Sequence, residues 1–448
     1  MNSKLTLIKL GAKRLAEELL RLAEHSQTAA DRIDYITSSR RENLDKFEMQ
    51  LDELCDGAFY DWRSVEGYAY QLSQLLSNLK ESIDDSCEGV KRVRYFFERD
   101  SSIMESCDDS GGAVGMVFSV DATDCFVHFS KKCEDKEFVA QQLLELVLDD
   151  QYGVRDELIG YAVDFLPQQW LRWLVEQLQQ GDEGDSWSAT QRTILLQSLA
   201  RQLKDARLFE EATLCRKLSL SSCLDVAQVY LENGDAIRAQ DWAERANLEF
   251  KSKHNFRSYD YQTIRREVYR QLGDKEGEER MAWEIFRSNR SVERLAELLQ
   301  TLGEEQREDV ITGETAQILA SSQDNLIGSD TSFLLHLGNI DAAEQYLMKR
   351  IDLLNKIDYI TLTEWVVQFA QNPLLASLIY RTLLNDILKR SYSKAYHYAV
   401  DYWIQLQQLS PQVSDWEPYL THQQYQQQVH QEHGRKWSFW QQLSERGG

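Results

Sequence analysis

Apolar residues recur at intervals of three and four along most of the chain, the period of one helical face, and they rarely alternate with polar residues as a half-buried strand requires. In "LIKLGAKRLAEELLRLAEHS", Leu7, Leu10, Leu15, Leu19 and Leu22 fall on one stripe, with Lys13, Arg14, Glu17 and Glu18 largely outside it. Such a helix needs a partner to cover its apolar face. Similar patterns at "RENLDKFEMQLDELC", "VEGYAYQLSQLLSNLKESI" and "EGVKRVRYFFERD" predict further amphipathic helices. The pattern breaks at "ESCDDSGGAVGMVFS", where Asp108, Asp109, Ser110, Gly111 and Gly112 supply turn and capping chemistry, and again at "QQGDEGDSWSATQ". "MVFSVDATDCFVHFS" has some β-like character, but its neighbours predict a short helix or loop.

Beyond residue 190 the pattern repeats. "AQVYLENGDAIRAQDWAERA", "REVYRQLGDKEGEERMAWEIF" and "FLLHLGNIDAAEQYLMKR" each read as a helix ending on Gly, then Asp or Asn, then a second helix. Gly234, Gly273 and Gly338 can take the left-handed conformation that ends a helix, and Asp235, Asp274 and Asn339 can cap the next. The first two turns lie 39 residues apart, Gly234 to Gly273, close to the period of tetratricopeptide and HEAT-type units. Ala239, Trp242 and Ala243 follow the first turn, and Ala343, Tyr346 and Leu347 the third; they place small and large apolar groups where paired helices interlock. The second copy departs from this with Glu278 at the small-residue position, and an earlier degenerate unit carries Ala212 there. The predicted fold is all-α: a tetratricopeptide-like or HEAT-like α-solenoid of antiparallel helix pairs. An N-terminal helical region is expected over 1–180, the array over 190–420 and a capping helix over 421–448.

Several stretches taken in order carry a family resemblance: "LIKLGAKRLAEELLRLA", "FYDWRSVEGYAYQL", "DDSGGAVG", "YGVRDELI", "YLENGDAIRAQDWAERA", and "NPLLASLIYRTLLNDILKRSYSKAYHYAVDY" followed by "HQEHGRKWSFW". The chain resembles a bacterial helical family of unknown function and is similar to the helical portions of some SWIM zinc-finger proteins. The resemblance implies a helical-repeat architecture and no known activity. The SWIM pattern needs a Cys-x-Cys pair followed by Cys-x-His; neither occurs here, so zinc-dependent nucleic-acid binding is not carried over.

Composition sharpens this picture. Four prolines, at 167, 373, 411 and 418, stand in 448 residues, where average usage would give roughly 22, so long stretches are free of the residue that breaks helices. Lys and Arg total 50 against 73 Asp and Glu, a formal charge of −23 that repels phosphate backbones unless one face is locally basic. Nucleic acid is therefore a disfavoured partner, although an acidic surface could imitate it. No run approaches the ~18 apolar residues of a membrane span, so no membrane association is expected and the start reads as a mature cytoplasmic N-terminus. Seven scattered cysteines, odd in number, predict reduced thiols.

Candidate chemistry is sparse. Cys125 and His128 have a Cys-x-x-His spacing, with Cys133 five residues on and Cys107 able to fold back, a weak set of zinc ligands without a second compact pair. Asp108, Asp109 and Ser110 offer oxygens, but the rest of a calcium loop is missing, and a capped turn is the better reading. Asp61, Trp62 and Arg63 form either a small recognition patch or a helix cap with Trp62 packed inward. At the other end, His433, Lys436, Trp437 and Trp440 share a helical face. Trp437, Phe439 and Trp440 can bury their rings against the preceding repeat as a capping helix, with Arg435 and Lys436 near a helix end or paired with acidic neighbours; the alternative is that the charged side, His433, Arg435 and Lys436, receives an acidic ligand or partner segment. No Gly-x-Ser-x-Gly elbow, Walker loop or His-Glu-x-x-His helix is present. The reading favours a non-enzymatic, cytoplasmic scaffold that binds a protein or peptide along a concave surface, with no cofactor. The alternatives are a metal-dependent or catalytic accessory with an unrecognised site, and an acidic nucleic-acid mimic.

Overall fold

The computed structural model describes residues 7–26, 29–30, 33–34, 37–180, 186–250 and 259–446. Among them all regular structure is helical, and the strand-like contact is an isolated parallel bridge between Tyr60 and Cys107. No described helix is long and apolar enough to cross a membrane. The chain divides into two compact units, Met1–Asn233 and Gly234–Gly448.

In the first unit, α1 (Ala12–Ala23) buries none of its residues, and Leu19, Leu20 and Leu22 stay exposed, so its predicted apolar stripe is uncovered. Helix α2 (Arg40–Cys55) opens on a reciprocal capping box between Ser39 and Glu42 and packs on α3 (Val65–Ser82). Helix α4 (Ser86–Phe97) lies against α5 (Thr123–Lys132) at very close range: a Cβ on Gly89 would sit 2.3 Å from the Phe129 ring. The β-like stretch before α5 is helical, running Ala113–Met116 and then as a π-helical turn over Val117–Ala122. The wider turn lets Val117, Phe118 and Ala122 enter the core ahead of Cys125, Phe126 and Phe129, which accounts for an apolar spacing unlike that of a regular helix. Phe118 meets Phe96 at 5.1 Å between ring centroids.

The close approach of α4 and α5 also corrects the expectation of uniformly reduced thiols. It brings the Cα atoms of Cys87 and Cys133 to 4.9 Å, and the two form a disulfide across a separation of 46 residues. Cys55, Cys107, Cys125, Cys215 and Cys223 remain thiols.

Further along come α6 (Lys136–Leu148), α7 (Gln168–Gln180), α8 (Ser186–Leu203), α9 (Ala206–Leu214) and α10 (Leu220–Glu232), each of the last four packing on the helix before it in sequence. Between α6 and α7, Asp150 accepts hydrogen bonds from the amides of Tyr152, Gly153, Val154 and Arg155. Arg155 in turn donates to the buried carboxylate of Asp100 at 2.8 Å. The boundary expected at 180–190 falls inside this unit; part of the predicted break, 181–185, lies outside the described residues. Helix α8 joins the first unit because Gln191 donates to the Val147 carbonyl and Gln202 to the Ile159 carbonyl.

The second unit holds α11 (Ala236–Phe250), α12 (Tyr259–Leu272), α13 (Lys275–Ser288), α14 (Val292–Leu302), α15 (Arg307–Ala320), α16 (Ile327–His336), α17 (Ile340–Met348), α18 (Tyr359–Gln368), α19 (Pro373–Arg390) and α20 (Tyr396–Leu409). Neighbours in sequence pack together through α11–α14, α16–α17 and α18–α20. The predicted turns are present: Gly234, Gly273 and Gly338 have φ of 78°, 74° and 73°. Asp235 and Asp274 accept from the amides of Arg238 and Gly277, whereas Asn339 makes no side-chain cap. Ala239, Ala243 and Ala343 are buried as expected of interlocking positions, and Ala212 is buried in the first unit. The departure at Glu278 has a local compensation: Gly277, one position earlier, is buried with its Cα so close to Tyr269 that a Cβ would lie 2.6 Å from the ring.

After α20 come α21 (His422–His433) and α22 (Trp437–Glu445), both within the second unit. Arg381 of α19 is buried between the rings of Trp416, at 4.2 Å, and Tyr425, at 4.5 Å, and donates to the Leu420 carbonyl. Burial pulls its pKa down to about 10.

Two outcomes are expected. Thiol titration of the denatured, unreduced protein will count five thiols rather than seven, and a count of seven would remove the Cys87–Cys133 bond. Gly89→Ala will lower the unfolding free energy by about 1–3 kcal/mol, because the added methyl must displace the Phe129 ring; denaturant unfolding measures it.

Candidate partner-binding surfaces

The Asp61, Trp62 and Arg63 cluster sits on the connector between α2 and α3. Tyr60 holds this connector in place by donating its amide to the Ser106 carbonyl, accepting from the Asp108 amide and stacking on Tyr68 at 4.1 Å. Asp61 accepts from the amides of Arg63 and Ser64 and from the Ser64 hydroxyl. The hydroxyl, with those amides, holds its carboxyl below the usual range. Trp62 is 64% exposed, so the inward-packed alternative does not hold; its ring carries the Arg63 guanidinium at 4.8 Å. The structure therefore brings these three residues together as an exposed aromatic and cationic corner.

The four weak metal-ligand candidates do not converge. Cys133 is bonded to Cys87. The Cys107 thiol turns to the Ile103 carbonyl and the Cys125 thiol to the Leu76 carbonyl, and burial pushes them up to about 11 and about 12. His128 lies 3.0 Å from Lys132, and burial with that cation lowers its pKa. Among the described residues no group of three or more His, Cys, Asp and Glu is placed to hold a metal ion. Asp109 receives the amides of Val114 and Gly115, both at 2.8 Å, which is the capped turn expected of it.

At the C-terminus the single helical face predicted for His433, Lys436, Trp437 and Trp440 is broken, because α21 ends at His433 and α22 begins at Trp437. The His433 carbonyl accepts from both the Lys436 amide and the Trp440 indole. Phe439 is fully buried against Tyr396 and Trp403, and Trp440 stacks on His430 at 3.9 Å. Trp437, expected to bury its ring, is 72% exposed since the new helix start turns it outward. The proposed binding trio is dispersed: His433 is half-buried with its pKa lowered by burial and Lys436, Arg435 is exposed, and Lys436 reaches the Ser391 hydroxyl at 2.6 Å.

A deep concavity lies elsewhere, within the second unit. It has a volume of about 1320 Å³ and is walled by α12, α13, the start of α14 and the end of α15 with the segment that follows. Arg280, Trp283 and Arg287 share a face of α13 by their spacing of three and four. Arg287 lies 4.4 Å over the Trp283 ring and donates through Nε and Nη2 to Glu314 Oε1. Arg290 is buried beneath, donating to Glu314 Oε2 and to Asp330 Oδ1, both at 2.9 Å. Tyr346 donates to the second oxygen of Asp330. Burial pushes the Asp330 carboxyl up against the pull of Arg290. Arg294 stacks at 4.9 Å on Tyr259 and donates to the Ile285 carbonyl and the Ser288 hydroxyl. Gln262, 5% exposed, also lines the cleft, and its Oε1 has no hydrogen-bond partner among the described residues.

Sequence reasoning did not single out this cleft. A signal existed in "RMAWEIFRSNRSVER", which places four arginines against two glutamates in 15 residues of a chain carrying −23. What the sequence lacked was any mark that Tyr259, Gln262 and residues 317–326 close around that run.

Comparison with known proteins gives a family and no activity. The model of a family described as a family of unknown function (DUF6880) matches residues 1–217 and 190–442. No curated protein matches the chain. One solved structure that aligns is described as a "Circular tandem repeat protein with novel repeat topology and enhanced subunit contact surfaces". It is 14% identical, over 91% of this chain and 99% of that one, with a TM-score of 0.20.

The two ends of the chain will respond differently to aromatic truncation. Phe439→Ala removes a fully buried ring and is expected to cost about 3–5 kcal/mol in denaturant unfolding. Trp62→Ala should stay within about 0.5 kcal/mol of the parent; a loss like that of Phe439 would mean that Trp62 is packed.

Proposed function

The chain belongs to the family of unknown function DUF6880, and we propose that it is a non-enzymatic scaffold that binds a protein or peptide partner through the arginine and aromatic cleft of its second unit. The cleft carries this reading. Ligand pockets for small molecules enclose about 300–1,000 Å³, whereas this one is larger and open, which suits a length of polypeptide. Its lining joins the exposed Tyr259 ring and the half-buried Trp283 ring to guanidinium groups, the combination that supplies contact area and specific hydrogen bonds at protein interfaces. The buried charge network fixes Arg287 and Arg290, and Ile285, Ser288 and Tyr259 hold Arg294, before any partner arrives, which lowers the ordering cost of binding.

In this reading the helices form a tetratricopeptide-like or HEAT-like solenoid of antiparallel pairs, supported by the repeated Gly-Asp turns and by the packing of sequence neighbours. The helices after residue 421 close its last apolar face. The exposed corner at Asp61, Trp62 and Arg63 is an accessory contact. The likeness to SWIM zinc-finger proteins is one of architecture without their zinc chemistry, and a bacterial, cytoplasmic setting fits the composition. The separated thiols and His128 give the metal-dependent alternative no support, and the arginines of the cleft give none to an acidic mimic of nucleic acid.

A photo-crosslinking amino acid placed at Tyr259 in the native host should yield discrete protein adducts that are missing when the same group stands at the exposed Glu308, outside the cleft. Equal adduct patterns from the two positions, or none from Tyr259, would overturn the assignment.

A further inference from the structure

Resting on that reading of the cleft, we infer that its occupant is an extended, acidic peptide segment of the partner protein. The four arginines are not equivalent. Arg287 and Arg290 are already matched by Glu314 and Asp330. Arg280 and Arg294 have no carboxylate within ion-pair distance among the described residues, although both line the same cleft. Arg280 is exposed at the mouth and lies 5.7 Å over the Tyr269 ring. Arg294 is held deeper, with Nη1 committed to Ile285 and Ser288 and its plane set by Tyr259. The Arg294 guanidinium, with its plane fixed in this way, presents its remaining donors to a carboxylate, and the exposed Arg280 offers a second cation to another.

The third group narrows the class of ligand. Gln262 lines the same space, and its Oε1 is a buried acceptor without a hydrogen-bond partner among the described residues, a state that costs stability until a donor reaches it. The ligand must bring a donor to it. A peptide supplies a backbone N–H between its acidic side chains, along with apolar side chains for Tyr259 and Trp283. A DNA strand supplies negative charge and stacking bases but no donor along its sugar-phosphate backbone, and although RNA offers its 2′-hydroxyls, the −23 charge of the chain opposes any long polyanion. Asp and Glu side chains on a short segment meet the cleft's cations without carrying that repulsion along a whole strand. The occupant is therefore a peptide with carboxylates spaced to meet Arg280 and Arg294, its main chain bonded to Gln262.

Fluorescence anisotropy with the full-length protein tests this. The probes are dye-labelled, short randomised peptide pools that share Gly, Ser, Asn, Tyr and Leu positions; one adds Asp and Glu, one adds Lys and Arg, and one adds neither. A labelled single-stranded oligonucleotide of mixed sequence is the fourth probe. The acidic pool should bind at least about tenfold tighter than the neutral pool, and weaken as salt rises. Arg280→Glu, at an exposed position, should remove about tenfold or more of that affinity, while Arg238→Glu, exposed and outside the cleft, should leave it unchanged. Gln262→Met should weaken it as well, with its unfolding midpoint measured alongside to separate lost binding from lost folding. Equal binding of the peptide pools would overturn the acidic preference and leave the peptide scaffold standing. Binding of none of the probes would overturn both. Tighter binding of the oligonucleotide than of the acidic pool would overturn the peptide assignment.

Discussion

One buried charge network organises the second unit. Glu314 on α15 and Asp330 on α16 are withdrawn from solvent, and both are claimed by Arg290, which lies between α13 and α14. Ionised carboxylates in a dry interior are tolerated only when cations and hydrogen-bond donors meet their oxygens, so this arrangement admits few alternatives. Arg287 takes the remaining oxygen of Glu314, and Tyr346 on α17 takes that of Asp330. Four helices, α13, α15, α16 and α17, and the connector that carries Arg290 are thereby set at defined separations, and Arg287 is held at the edge of the cleft. A purely apolar contact would fill the same volume without fixing direction.

The two units solve the same problem in different local chemistry. In the first, α4 and α5 meet at a glycine and are joined by a disulfide, while Asp150 gathers four successive amides and so presents Arg155 to Asp100. In the second, turns of one design recur, and small residues at the helix crossings do the work of close approach. Gly277 illustrates how a repeat keeps its geometry when its pattern drifts: the small residue moves by one position, and Tyr269 still finds room. Natural repeats contact mainly their neighbours, so such shifts need only local compensation.

Candidate recognition residues were legible where they depend on chain-local geometry. Asp61, Trp62 and Arg63 are adjacent in sequence and remain together in space. His433, Arg435 and Lys436 are equally close in sequence, but a helix break at Gly434 separates their directions, and no helical-face argument anticipates it. The cysteines failed as a set for a related reason: Cys133 lies nearer in sequence to Cys125 than to Cys87, yet the packing of α4 on α5 decides its partner. The exposed stripe of α1 was legible as an amphipathic helix, while whether another surface covers it is not a property of its own residues.

The sequence by itself determined the helical class, the left-handed glycines at 234, 273 and 338, the caps at Asp235 and Asp274, and the buried alanines beside them. Each of these follows from interactions within a few residues, where backbone sterics and a 3.6-residue period suffice. Only the tertiary structure decided that Arg280 and Arg294 would share a cleft with Gln262, that Arg290 would be spent on Glu314 and Asp330, and that Trp437 would face solvent while Phe439 does not. Those outcomes depend on which distant groups compete for the same charge or the same apolar space, and that competition is settled by packing between helices far apart in sequence.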